Sequence, residues 1–255
     1  MNETQTFRYR DCYVTWSDSQ ITLGNDGIEI CISIADNHIR TQYIRDKITD
    51  FDWQAQDGRG MILPTWTVDP TSASCTVTAE IDDFEGRMTE HLRVCHTLTD
   101  GEGMWQTVWQ VFPGLPIVRK SLWAKGAYRD ACEIGQRDIA VWSAHEQASE
   151  AITYDRTSLT IDAVSLHDYN DRHDDLTRTT RYYPYFGSFG QSYEGNLFFL
   201  QMPRTRCLSL CKLAPCIESQ LYSPEFALRI THQGAAELVG LGIDRAHPLP
   251  DGETV

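Results

Sequence analysis

Apolar and polar residues alternate with a period of two in stretch after stretch of this chain, the pattern of strands that bury one face. The cleanest run is IEICISI at 28–34, where four isoleucines point one way and Glu29, Cys31 and Ser33 the other. GNDG at 24–27 supplies a turn before it and residues 35–38 a turn after it, so 39–44 follows as an antiparallel partner. Residues 9–16 predict a first strand. Residues 75–81 and parts of 89–98 alternate again across a turn at 82–86, and this meander leads into the stretch 105–126. That stretch reads as two strands rich in Val, Ile, Thr and Trp, separated by Pro113, Gly114, Leu115 and Pro116, which cannot continue a ladder. In its first arm Thr107, Trp109 and Val111 share a face. In the second, Arg119, Ser121 and Trp123 share one, with Val118, Leu122 and Ala124 opposite. The expectation is a large sheet with one wet face.

Beyond Gly126 the alternation weakens. A short strand is expected at 138–142, a strand pair within 154–164, and further strands at 197–201, 207–213, 226–231 and 236–241. Residues 144–148 allow a single helical turn, but no amphipathic helix is present. Residues 50–60 hold no sustained period and contain Gly58 and Gly60, so they predict a loop with Trp53 at its base. Closely spaced strands with few helical patterns predict an all-β, antiparallel sandwich, one domain over 1–255. Residues 248–255 have turn and linker composition, which reads as a chain cut before a further domain.

Composition narrows the partners more than the fold. The 255 residues carry 36 acids against 22 Lys and Arg, a formal charge of -14, which disfavours nucleic acid and anionic membranes. A neutral carbohydrate is compatible with that charge. The start lacks the basic and then apolar run of a signal peptide, and no apolar stretch has the length of a membrane span, so the expectation is a soluble, cytoplasmic protein. Eight dispersed cysteines in a chain of this size read as buried free thiols rather than a disulfide framework.

The hairpin region carries a resemblance. DGEGMW at 100–105 followed by WQVFPGLPIVRK at 109–120 resembles the central hairpin of the amino-terminal β-supersandwich of α-galactosidases in glycoside hydrolase family 36. NLFFL at 196–200 with CLSLCKLAPCIESQL at 207–221 is similar to the segment that precedes the link to the catalytic barrel in that family. The resemblance implies a galactose mutarotase-like supersandwich that packs against a (β/α) barrel, borders a sugar site and assembles into homo-oligomers. It also implies that the two catalytic aspartates lie on the barrel, so this chain carries no catalytic residue and no cofactor.

Candidate chemistry within the chain is therefore sugar contact. Tyr182, Tyr183 and Tyr185 belong to the aromatic run YYPYFGSF, which offers stacking surfaces for a sugar ring or packing against a neighbour. Trp53 offers either a platform or a plug for the end of the sandwich. Residues 166–175 gather two His and four Asp, but neighbours on a loop do not converge as ligands, and Cys207, Cys211 and Cys216 lack a paired knuckle, so no metal is expected. Residues 178–181 continue that run as an exposed segment. An alternative is a freestanding carbohydrate-binding or aldose 1-epimerase-like protein, with a His acid and a Glu base drawn from His91, His96, His145, His167, His173, His232, Glu90 and Glu146. No mutarotase signature surrounds any of them. A serine nucleophile elbow is absent as well.

Overall fold

A computed structural model of the chain describes residues 4–35, 38–54, 61–62, 74–84, 86–99, 103–126, 148–153, 160–166, 177–183, 192–194, 197–204, 206–211, 227–230 and 235–239. Among these residues the fold is all-β with no helix, and every pairing whose register is described is antiparallel. The chain divides into two compact units, one made of 1–52, 60–144 and 243–255 and the other of 53–59 and 145–242, so that one border falls inside a strand, between Asp52 and Trp53.

In the first unit β1 (Gln5–Tyr9), β2 (Cys12–Trp16), β3 (Gln20–Gly24), β4 (Ile28–Ala35), β5 (His38–Asp46) and β6 (Phe51–Gln54) lie side by side in chain order, and β7 (Met61–Ile62) also pairs with β5. A second sheet runs β11 (Val118–Gly126), β10 (Gly103–Val111), β9 (His91–Thr99), β8 (Ser74–Asp82). β1 and β2 pack on β8 and β9. The core faces meet in Cys12, Val14, Ile21, Leu23 and Ile32 on one sheet and Leu92, Val94, Trp109 and Val111 on the other, all buried. Each such side chain contributes about 1.5–3 kcal/mol by leaving water.

The register keeps the four isoleucines of 28–34 on one face and Glu29, Cys31 and Ser33 on the other, but of the isoleucines only Ile32 is fully buried, and Cys31 is buried on the opposite face. A bulge places Gln42 of β5 as an extra residue between the pairs Cys31 with Tyr43 and Ile32 with Thr41, and its amide donates to Ser33 Oγ at 2.8 Å. The predicted strand at 9–16 is instead two strands, because the chain reverses at Arg10 and Asp11, where Arg10 takes φ 53°. β3, Gln20–Gly24, was not expected at all; its alternation is only five residues long. The loop predicted at 50–60 begins as β6, since Phe51–Gln54 has a sheet edge at β5 to pair with even without a long alternating pattern.

The turn of the central hairpin is held from the first sheet. Asn25, buried in the β3 to β4 turn, donates through Nδ2 to the carbonyls of Phe112 (2.9 Å) and Leu115 (2.6 Å) and accepts through Oδ1 from the amides of Gly27 (2.8 Å) and Ile28 (3.1 Å). Asp11 accepts from the Gly114 amide at 2.9 Å, and Gly114, at φ 70°, supplies the left-handed step that Pro113 cannot. All four hydrogen-bonding positions of one buried amide are thus filled.

Of the two sheets of this unit, the wet face expected for a single large sheet is found on the first. In the second, His91, Cys95, Val108 and Gln110 are buried on the face opposite Leu92, Val94 and Trp109. His91 is satisfied there: it lies 2.8 Å from the Thr89 carbonyl through Nδ1 and 2.7 Å from the Gln110 amide through Nε2, with the Phe112 ring 5.0 Å away.

The second unit holds a third sheet, β12 (Ala148–Thr153), β19 (Ala235–Val239), β18 (Ala227–Ile230), β15 (Ser192–Glu194), and a fourth, β14 (Thr177–Tyr182), β13 (Thr160–Leu166), β16 (Leu197–Met202), β17 (Arg206–Cys211). Each is given in spatial order. Ile161, Ala163, Phe198, Leu200 and Leu208 form the buried face of the fourth sheet. Residues 178–181 are part of β14, which pairs with β13 along its length, and Thr179 and Arg181 are exposed there, as expected. Of the six described thiols, Cys12, Cys31 and Cys95 are buried as expected, but Cys75, Cys207 and Cys211 are exposed. All three sit on β8 and β17, strands at the ends of their sheets, where among the described residues one flank of the strand has no neighbouring row to cover it. The strand expected at 138–142, the helical turn at 144–147 and the polar run at 167–175 lie outside the described residues, as does Cys216.

Candidate functional site

Strand alternation sorts the side chains of the fourth sheet. On the outer face, Asp162 of β13 stands opposite Arg181 of β14, and Gln201 of β16 reaches the same carboxylate. Arg181 Nε donates to Asp162 Oδ1 at 2.6 Å and Nη2 to Oδ2 at 2.6 Å, a two-pronged fit of guanidinium to carboxylate, while Gln201 Nε2 donates to Oδ2 at 2.9 Å. Asp162 is only 8% exposed. Its carboxyl is held below the usual carboxylate range, first by the hydrogen bonds from Arg181, against the opposing effect of burial. The same bonds raise the pKa of Arg181, which is also hydrogen-bonded to Tyr183.

Tyr183 is 53% exposed, just past the end of β14. Tyr182 pairs with Ile161 and so belongs to the opposite, buried face, where it is half-buried. The adjacent tyrosines therefore do not form one platform. Trp53, on β6, is 1% exposed and presents no ring face to solvent, which is the burial a plug requires. Tyr185 lies outside the described residues. On the same outer face as Arg181 stand the exposed Thr179, Cys207 and Ser209, with Cys207 directly opposite Gln201.

A second polar network crosses the outer face of the first sheet. Tyr13 donates its hydroxyl to Glu29 Oε2, and Tyr43 donates to Glu29 Oε1 at 2.8 Å. Gly24 pairs with both Tyr13 and Glu29, so the Tyr13 ring spans β3 where that strand has no side chain. Lys47 Nζ lies 5.1 Å from the centre of the Tyr13 ring and the Arg45 guanidinium 5.5 Å from that of Tyr43. Arg45 is itself locked in a fork on Asp52 at 2.6 and 2.8 Å. Burial and then the bonds to Glu29 raise both phenol pKa values.

Of the His and Glu neighbours offered for acid/base work, the one pair among the described residues, Glu90 and His91, is divided between surface and interior. His91 has no exposed surface, whereas its neighbour Glu90 is exposed and accepts from the Tyr9 hydroxyl. His96 is 1% exposed, lies 3.0 Å from Cys75 Sγ through Nε2, and burial holds its pKa down at about 4. Its Nδ1 and the Thr107 hydroxyl opposite it have no hydrogen-bond partner. Neither imidazole is open to solvent. His145, His167, His173, His232 and Glu146 lie outside the described residues. No group of three or more His, Cys, Asp or Glu among the described residues converges on a metal position.

Asp162 and Gln201 were not singled out by sequence. The available signal was a charged residue inside the otherwise apolar run TIDAV, which on a strand must face away from Ile161 and Ala163. No family model, curated protein or solved structure matches this chain.

Proposed function

We propose that this chain is a non-catalytic β-supersandwich domain, of the galactose mutarotase-like kind, from an α-galactosidase-like glycoside hydrolase. It packs against a catalytic barrel and borders the sugar site. The observation that supports this reading is local: the described parts of the two segments that resemble the family lie in antiparallel hairpins, β10 with β11 and β16 with β17. The acidic surface and the exposed Tyr183 suit a neutral saccharide. The buried state of His91 and His96 supports a domain without its own ring-opening chemistry over an epimerase.

The test has two parts. The 255-residue chain is assayed for nitrophenyl α-galactoside hydrolysis and for galactose mutarotation, and the reading frame of its gene is followed past codon 255. Inactivity in both assays together with a downstream barrel bearing two aspartates is the expected result. Accelerated mutarotation by the chain alone, or a continued frame without a barrel, overturns the reading.

A further inference from the structure

We propose that the outer face of the fourth sheet binds a neutral pyranoside, with Tyr183 as its stacking platform and Arg181, Gln201 and Asp162 as its hydroxyl-binding edge. The inference rests on the carbohydrate reading above and adds to it the residues and the class of sugar.

Hydrogen-bonding capacity is left over on this face. A guanidinium has five N–H donors, and among the described residues Asp162 takes two of those of Arg181 and Tyr183 engages the group further, which leaves donors for a ligand. Among the same residues Gln201 spends one amide hydrogen on Asp162 and keeps its carbonyl oxygen and second hydrogen. These groups are fixed before a ligand arrives, because the fork holds Arg181 and three strands hold the fork, so little side-chain freedom is lost on binding.

Charge selects the ligand. The Arg181 and Asp162 pair is neutral as a unit, so it offers directed donors without the net positive field that captures a carboxylate or phosphate. The chain as a whole, at -14, repels anions. A neutral ring that places hydroxyls on the polar edge and a C–H face on Tyr183 satisfies both. In a galactopyranoside the axial 4-hydroxyl leaves the opposite ring face as a continuous C–H surface, which fits an aromatic platform.

Cys207 supplies a reporter, since it is exposed and stands opposite Gln201. The full chain is titrated with methyl α-galactoside while heat of binding and the rate of Cys207 alkylation by iodoacetamide are followed. Saturable binding near ~1 mM is expected, with alkylation of Cys207 slowed several-fold at saturation. Tyr183→Ala weakens binding about five-fold, the loss of one aromatic stacking partner, and Tyr183→Phe, which keeps the ring, restores it. Galacturonate binds at least several-fold more weakly than the neutral galactoside. Binding that leaves Cys207 alkylation unchanged and survives Tyr183→Ala places the sugar elsewhere and overturns this inference, while the domain reading stands. Absence of saturable binding far above ~1 mM also overturns it, and the reading frame and activity assays then judge the domain reading separately.

Discussion

On the first sheet Glu29 sits at the centre of its network and accepts from Tyr13 and Tyr43, whose rings are each flanked by a cation. On the fourth sheet Asp162 lies at the back of its network, nearly covered, while Arg181 and Tyr183 stand in front of it in solvent. The parts are alike: a carboxylate, cations and tyrosines on the polar face of an antiparallel sheet. In the first arrangement phenol hydroxyls turn inward onto the acid and the ring faces are met by Lys47 and Arg45, so the network closes on itself and stiffens the sheet. In the second the acid holds a donor fork whose cation is half in solvent and is also bonded to Tyr183. Where the carboxylate stands relative to solvent decides whether such a cluster closes on itself or leaves its cation at the surface.

The largest expected effect breaks the closed face at its gap. A Cβ at Gly24 would come within 2.1 Å of the Ile28 carbonyl oxygen and 2.8 Å of Glu29 Cα, both backbone positions that cannot step aside. Gly24→Ala is therefore expected to cost about 3 kcal/mol or more, at the upper end of overpacking effects. Urea unfolding measures it, and a midpoint equal to that of the parent would show that β4 yields at this point.

The second expectation separates acid effects on the open face from those of the core. His96 is held neutral when folded, with its pKa lowered by burial to about 4, so between that value and its unfolded value near 6.5 the unfolded chain binds the extra proton. Stability from this residue is complete above pH 6.5 and falls as pH drops toward 4, by on the order of 3 kcal/mol in total. His96→Gln should flatten that part of the stability profile. With His96 removed, the remaining acid loss below the ordinary carboxylate range reports Asp162 together with Asp52, whose lowered pKa values mean that their contributions disappear as they protonate, and the part missing in Asp162→Asn belongs to Asp162.

Asp162→Ala, smaller in effect, is expected to cost about 2 kcal/mol, since it leaves Gln201 and the exposed Arg181 without their shared acceptor. Most of the penalty for an orphaned charge is relieved because Arg181 reaches water. Asp162→Asn should lose less than the alanine variant, and equal losses would mean that packing rather than hydrogen bonding sets the value.

The two faces were unequally legible in the sequence. Glu29 could be assigned to a polar face at once, because its strand alternates over seven residues without a slip. The central hairpin was equally readable from Pro113 and Gly114 between two β-rich arms. Short strands such as β3 and β6 lack enough alternation to stand out, and the turn at Arg10 uses a residue that does not advertise a reversal. The fourth-sheet cluster was hidden for another reason. Asp162 meets residues 19 and 39 positions away, so it exists only through the register of β14, β13 and β16. Tyr183 was noticed as one aromatic of a run, but its separation from Tyr182 follows from β14, which carries the Tyr182 ring on the face of Ile161.

The smallest and most selective test uses the alkaline side. Tyr13 and Tyr43 have raised pKa values, first through burial and then through their bonds to Glu29, so both remain protonated in the folded chain beyond the pH at which unfolded tyrosines ionise. The stability they contribute is complete below the unfolded value of about 10 and is lost as pH rises above it. The fourth sheet does not share this dependence through its central pair, because an ionised Asp162 and a protonated Arg181 keep their charges throughout that range. Thermal melts between neutrality and the alkaline limit should therefore show a decline that shrinks in Tyr13→Phe and in Tyr43→Phe and is unchanged in Gln201→Leu. Phenylalanine keeps the ring against Lys47 or Arg45 and removes only the titrating hydroxyl, so the comparison isolates the bond to Glu29. A decline of the same size in Tyr13→Phe and Tyr43→Phe as in the parent would place the alkaline sensitivity outside the closed network and remove the contrast between the two faces.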